Sequence, residues 1–311
     1  MIENAIIITN QTRLEQQIQR FNTKAQAKFY IEKSGSDFKD YEREDTAFHS
    51  SIDGIIKNIG RFLKYKIVDR KYISNFIFSE NDIVIVVGQD GLVANTAKYV
   101  KGLPILAINP DVERYDGVLL PFTPENFEIG LVNILSQKFS FKEITMAEVK
   151  TNDNQSLLAF NDFFIGVNTH VSARYKITFN NRSEEQSSSG IIVSTGAGST
   201  GWLSSLINMA NGIKSSFSNY QSPSMNKINL SLNWDDDRLV FMVREPFLSK
   251  KSQIDLIIGF ITKKNHLIVE SYMPANGVIF SDGIEADYLQ FNSGAIAEIS
   301  IAEQKAKIVT A

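Results

Sequence analysis

Five consecutive aliphatic residues, Ile83-Val84-Ile85-Val86-Val87, end at a glycine, and no other stretch constrains the chain as tightly. Side chains alternate between the two faces of a strand, so a strand with one wet face reads apolar, polar, apolar. An unbroken β-branched run this short fits a strand buried on both faces, the environment of a parallel sheet with helices on either side. The following sequence agrees. Residues 92–100 have helical spacing, Gly102-Leu103-Pro104 breaks the helix, and residues 105–108 form a second aliphatic run. Strand, helix and strand in about thirty residues make a βαβ unit.

Upstream, residues 5–8 read as another buried strand. Residues 12–33 place Leu14, Ile18, Phe21, Ala25, Phe29 and Ile31 mostly three or four apart, as on one face of a helix. Residues 40–45 read as a charged connection, and residues 48–65 return to helical spacing through Ile52, Ile55, Ile56, Ile59 and Leu63. The polar stretch 20–45 reads as a solvated amphipathic helix plus loop, with a lid or partner surface as the alternative.

Beyond about residue 140 the pattern changes to short runs rich in Ile, Val and Phe, separated by Gly, Asn, Asp or Ser. Strands are expected at 157–167, 173–179, 190–193, 228–232, 239–243, 254–261, 267–272, 278–280, 296–301 and 306–309. Residues 186–189 read as a loop, and Asp235-Asp236-Asp237 as a solvated hairpin tip. The fold class is therefore α/β followed by β: a domain over 1–140 with a mainly parallel sheet, then a mainly β, sandwich-like domain over 141–311.

Composition removes several function classes. Hydrophobic residues make up 43% of 311 and charged residues 22%, enough for a real core. The formal net charge of −3 gives no global attraction to nucleic acid or to a membrane surface. The absence of cysteine excludes disulfides, thiolate metal sites and a cysteine nucleophile. His49, His170 and His266 are scattered without ligand spacing, so no metal held by histidine is expected. No apolar stretch approaches the roughly 20 residues of a membrane span, and the N-terminus lacks a basic leader. The expectation is a cytoplasmic protein with small-molecule partners.

Two glycine-containing loops then carry the chemistry. Gly88-Gln89-Asp90-Gly91 lies where open α/β sheets bind ligands, beyond the carboxyl end of a parallel strand. Glycine lets backbone N–H groups approach phosphate oxygens, and the next helix points its positive end at the same place. A carboxylate there can take a proton from an attacking hydroxyl, help hold a magnesium ion, or merely cap the helix, and the loop alone leaves these open. Ser194-Thr195-Gly196-Ala197-Gly198-Ser199-Thr200-Gly201, directly after an aliphatic run, is too small and polar to fill a core and carries no charge. It suits contact with a base, ribose or phosphate.

Together these segments resemble the NAD kinase family, which belongs with the diacylglycerol and lipid kinases. Residues 88–92 occupy the place of the family's Gly-Gly-Asp-Gly-Thr loop, Asn161-Asp162 that of its Asn-Glu or Asn-Asp pair, and residues 194–200 that of its Ser-Thr-x-x-Gly-Ser-Thr segment. Asp282-Gly283 is similar to a late Asp-Gly dipeptide of the family. The resemblance covers roughly residues 80–300. It implies ATP- and magnesium-dependent phosphorylation of a nucleotide hydroxyl, with the 2′-hydroxyl of NAD as acceptor and Asp90 as base. It also implies nucleotide contacts at Gly88, Gln89, Gly91, Asn161, Asp162, Thr195, Gly198, Ser199 and Thr200, with Ser205 on the following helix, and a homo-oligomer. Gln89 and Leu92 depart from the loop pattern, Gly201 and Trp202 from the Ala-Tyr that follows the small-residue segment, and residues 109–113 from the family's Asn-x-Gly. These departures leave a lipid or sugar acceptor, or a dinucleotide sensor without catalysis, as alternatives.

Overall fold

The computed structural model describes residues 2–217 and 227–310. The chain divides into two units, residues 1–142 with 307–311, and residues 143–306.

In the first unit β1 (Asn4–Thr9), β2 (Lys64–Asp69), β3 (Asp82–Val87) and β4 (Pro104–Ile108) form a parallel sheet in the order β2-β1-β3-β4. Lys307 and Ile308 add parallel pairing on β4. Every residue of β3 is buried, as its unbroken aliphatic run predicts. On one face Ile7, Ile83, Ile85 and Leu106 pack with α3 (Phe38–Ile59) and α5 (Phe127–Leu135) through Ile52, Ile55, Ile59, Phe127 and Leu131. The alternate residues Ile6, Ile8, Val84 and Val86 are buried on the other face, where α4 (Asp90–Ala97) packs on β3 and β4.

The expected single helix over 12–33 is two, α1 (Arg13–Phe21) and α2 (Lys24–Lys33). Asn22 turns left-handed at φ 66°, and the Thr23 hydroxyl then accepts the Gln26 N–H to start the next helix. Residues 40–45, expected as a connection, lie inside α3. Their charges are not solvated spacers: Asp40 and Glu44 pair with arginines. The helical spacing continued to residue 65 ends at Ile59, because residues 64–69 become edge strand β2, exposed over most of its length.

The second unit is a sandwich of two antiparallel sheets. One contains β12 (Ile258–Ile261), β11 (Leu239–Val243), β10 (Ile191–Ser194), β7 (Asp162–Val167), β14 (Gly277–Ser281) and β15 (Ile284–Gln290), in that order. The other pairs β16 (Ile296–Val309) with β13 (Leu267–Ser271), β13 with β8 (Ala173–Phe179), and β8 with β9 (Arg182–Ser188). β5 (Phe141–Thr151) pairs with β16 and with β6 (Ser156–Ala159). Phe163, Ile165, Tyr175, Ile177, Val193, Phe241, Val269 and Ile299 meet between the sheets.

Several boundaries differ from the sequence reading. Residues 157–167 are two strands parted at 160–161, and 296–309 is one strand. Residues 186–189, expected as a loop, fall largely in β9, whose inward side chains are Glu184, Gln186 and Ser188. Those polar groups are satisfied inside: the Gln186 carbonyl accepts the Tyr175 hydroxyl at 3.0 Å and Glu184 accepts the Leu256 N–H at 2.8 Å. Residues 228–232 are no strand. Asn211 clasps Ile228 through both backbone groups, at 2.9 and 2.8 Å, and Leu232 packs on Leu203 of α6 (Trp202–Phe217). The acidic triplet is accordingly not a hairpin tip; Asp236 pairs with Arg238 and Asp237 with Lys263. Among the described residues no helix is long and apolar enough to cross a membrane.

Candidate functional site

In the first unit the strand order reverses between β1 and β3, since the chain leaves β1 toward β2 and leaves β3 toward β4. Ligands of open α/β sheets bind at such a point, beyond the carboxyl ends of the strands. Gly88 follows β3 there, donating its N–H to Ile108 O at 3.3 Å. Gln89 sits at φ −103°, ψ 164°, ordinary extended backbone, so a side chain at this position costs no strain. It precedes α4 without capping it, leaving the first-turn N–H groups without a side-chain acceptor.

Asp90 opens α4 and its Oδ1 accepts the Leu119 N–H at 2.7 Å. No other hydrogen bond from the described residues reaches the carboxylate. Leu92 is buried and lies over Gly88: a Cβ there would come within 2.9 Å of Leu92 Cδ2. A cavity of about 80 Å³ adjoins the loop, lined by Gly88, Gln89, Thr12, Glu44, Arg70 and Tyr115 among others. Glu44 is 5% exposed. It pairs with the Arg13 guanidinium, lies 3.9 Å from Arg114, and accepts the Tyr115 hydroxyl at 3.2 Å. Asp40 bridges Arg114 at 2.6 Å and Arg13 at 2.8 Å, and those two guanidiniums hold its carboxyl well below the usual carboxylate range. Burial raises the Tyr115 hydroxyl above its ordinary value.

In the second unit Asp282, left-handed at φ 55°, turns its carboxylate onto the break between β6 and β7. It accepts the N–H groups of Phe160, Asn161 and Asp162 at 3.0, 2.6 and 3.3 Å. The Asp162 carboxyl is pushed up to about 7, by burial first and then by the charge of Asp282. Thr195 completes the lock: its hydroxyl donates to Phe160 O at 2.6 Å and accepts the Gly198 N–H at 3.2 Å. A Cβ on Gly198 would fall 2.1 Å from Asn161 O, and one on Gly196 would fall 1.9 Å from Asn233 O. These glycines are there so that backbones can touch.

The structure thus gathers Asn161, Asp162, Thr195, Gly198 and Ser199 into one cluster. The Ser199 hydroxyl, like that of Thr195, is already committed, to Gly196 O at 2.7 Å. What both offer a ligand is a shaped backbone rather than a free hydroxyl. Thr200 is exposed at the end of the short helical turn Ala197–Thr200, and Ser205 is exposed on α6.

The sequence reading missed an aromatic pocket of about 680 Å³ beside this cluster. Phe164 stacks on Trp202 with centroids 5.8 Å apart, Phe280 lies 5.0 Å from Phe164, and the Arg244 guanidinium stands 5.3 Å over the Trp202 ring. Phe164 and Phe280 are cross-strand partners on the sheet face opposite the sandwich core. Apolar residues on both faces of β7 and β14 are the signal that marks this second apolar surface.

Residues that could hold a metal are few. Among the described residues, one acid and histidine group lies close enough together, Glu15, Asp45 and His49. Each of its carboxylates also serves Thr12 at the start of α1: Glu15 accepts the Thr12 N–H at 2.8 Å and Asp45 the Thr12 hydroxyl at 2.6 Å. That arrangement is a capping cluster.

No protein-family model matches the chain. A curated NAD kinase of Sulfurisphaera tokodaii is 26% identical over 175 residues, 55% of this chain and 64% of that protein. One of Saccharolobus islandicus is 28% identical over 153 residues, 49% of this chain and 55% of that protein. The matches therefore cover less than two thirds of those relatives' length. Among solved structures, an NAD kinase from Archaeoglobus fulgidus in complex with ATP superposes with a TM-score of 0.55 at 15% identity, over 99% of this chain and 93% of that one. Yeast NADH kinase complexed with NADH gives 0.57 at 14% identity, over 100% and 84%. The shared fold is the expected α/β domain followed by a β sandwich-like domain, and over about half its length the chain is similar in sequence to these NAD kinases.

Proposed function

We propose that the protein transfers a phosphoryl group from ATP to the 2′-hydroxyl of NAD, giving NADP. The observation that carries this reading is the Asp90 carboxylate: it stands at a strand-order reversal, is oriented by one backbone N–H, and keeps an oxygen available for an incoming hydroxyl. In this reading Asp90 is the base, and the loop amides of residues 88–91 with the first turn of α4 steady the transferring group. The second unit binds the dinucleotide: the Asn161-Asp162 turn and residues 195–200 shape its adenosine site, and the Phe164, Trp202 and Phe280 rings offer a stacking surface for a flat base. We assign the two units as the two domains, and place the protein in the cytoplasm as a homo-oligomer.

Magnesium fits the residues present. The ion is commonly held by substrate phosphates with one or two carboxylates, and it would be carried mainly on the ATP phosphates beside Asp90, whose free oxygen serves the hydroxyl. Bound with ATP, it would neutralise charge on the phosphates.

The test is NADP formation by purified protein given NAD, ATP and magnesium, with loss of turnover in Asp90→Asn. No NADP, or full turnover in the variant, overturns the assignment. A second reading, a dinucleotide sensor without catalysis, is favoured by one observation: Leu92 puts a buried methyl group over Gly88 where the family's loop carries a hydroxyl. Tight calorimetric binding of dinucleotide without turnover would support it.

A further inference from the structure

The cavity of the first unit contains a charge that the chain leaves unused. Because β1, β2 and β3 are parallel neighbours, their carboxyl ends emerge at one edge of the sheet, Thr9 beside Asp69 and Ile8 beside Val86. Arg70 follows β2 directly and lines the cavity with Gly88 and Gln89. It is half-buried, yet among the described residues no side chain or carbonyl pairs with it. Glu44 lines the same cavity and does not take it up, because Arg13, Arg114 and Tyr115 already satisfy that carboxylate.

An arginine that lines a cavity and has no partner in the protein keeps its guanidinium available to an anionic ligand. Its planar fork matches phosphate, and the uncapped first turn of α4 faces the same anion chemistry. A cavity of about 80 Å³ holds several waters or one group of phosphoryl size.

We propose that Arg70 is the cationic contact for a phosphoryl group bound over Gly88. The ligand class is a phosphate of a nucleoside triphosphate or of an inorganic polyphosphate. That the phosphate belongs to a phosphoryl donor rests on the kinase reading above; the anion site itself rests on the geometry. Arg70 adds the positive charge that a loop with Gln89 and Leu92 does not supply.

Calorimetric titration of the full chain with inorganic tripolyphosphate, and separately with ATP, tests this. Arg70→Ala weakens binding about ten- to a hundred-fold, the loss of a charge-assisted contact. Arg70→Lys recovers part of it. Lys71→Ala removes the same charge one residue away, where the ammonium lies over Tyr72 instead, and leaves affinity unchanged. Equal effects of Arg70→Ala on tripolyphosphate and ATP place the contact on phosphate. An effect on ATP alone, no binding of either probe by the parent protein, unaltered affinity in Arg70→Ala, or equal weakening by Lys71→Ala overturns the inference. Matching thermal transitions check that the variants fold. NADP formation with Arg70-independent binding counts against this site alone. Arg70-dependent binding without NADP formation counts against the kinase reading alone.

Discussion

Asp90 Oδ1 accepts the backbone N–H of Leu119 at 2.7 Å, tying the loop after β3 to the segment after β4. The loop carboxylate therefore has a structural duty through Oδ1 that can be separated from the catalytic one proposed for its charge. Asp90→Asn keeps an oxygen for Leu119 and removes the proposed base. It should unfold within a degree or two of the parent while kcat for NADP formation falls by roughly 10²–10⁴-fold. Asp90→Ala should lose both, and destabilise by about 1–2 kcal/mol in thermal unfolding.

Gln89 occupies extended backbone at φ −103°. Restoring the family's glycine relieves no strain and adds freedom to the unfolded chain. Gln89→Gly should destabilise by about 0.4–1 kcal/mol in denaturant titration. A gain in stability would show that the side chain is strained after all.

The Asp162 carboxyl, raised to about 7, makes stability depend on pH. An unfolded aspartate titrates near about 3.9. Between those values the folded protein keeps a proton that the unfolded chain releases, so stability falls as pH rises through this window and levels off above it. Asp162→Asn should flatten that slope and raise the midpoint of thermal unfolding above pH 7. An unchanged slope would assign the pH dependence elsewhere.

Gly198 is required by contact, not by conformation. Its added Cβ would meet Asn161 O at 2.1 Å, and that carbonyl also accepts the Thr195 N–H at 2.9 Å. Gly198→Ala should cost about 1–3 kcal/mol in thermal unfolding and weaken dinucleotide binding, because the turn at 160–162 must move. Gly201→Ala meets only Gly198 O, at 3.4 Å, and serves as the mild control.

Features set by near neighbours in the chain were legible in the sequence. The run at 83–87 gives a strand buried on both faces because alternation would otherwise show. The loop at 88–91 sits at its carboxyl end because the helix begins at once, and residues 195–201 leave the strand because their glycines and small polar residues suit a tight turn. Where polar residues face inward, as Glu184 and Gln186 do in β9, the same logic reads a loop, because periodicity reports wetness and not pairing. Helix breaks at single residues such as Asn22 carry too little signal against a continuing apolar stripe.

Only the tertiary structure decided how these pieces act. Asp282 supports Asn161 across 121 residues, Asp90 reaches Leu119 across 29, and Arg13 and Arg114 are brought to Asp40 from opposite sides of it in the chain. Arg70 is one arginine among many until parallel strands deliver β2, β1 and β3 to the same edge. Hydrogen bonds and ion pairs of this kind depend on positions in space set by strand order and register. Sequence by itself determined the α/β-then-β order and the buried strand with the loop at its end; the packing of the elements determined which charges are paired and which remain available.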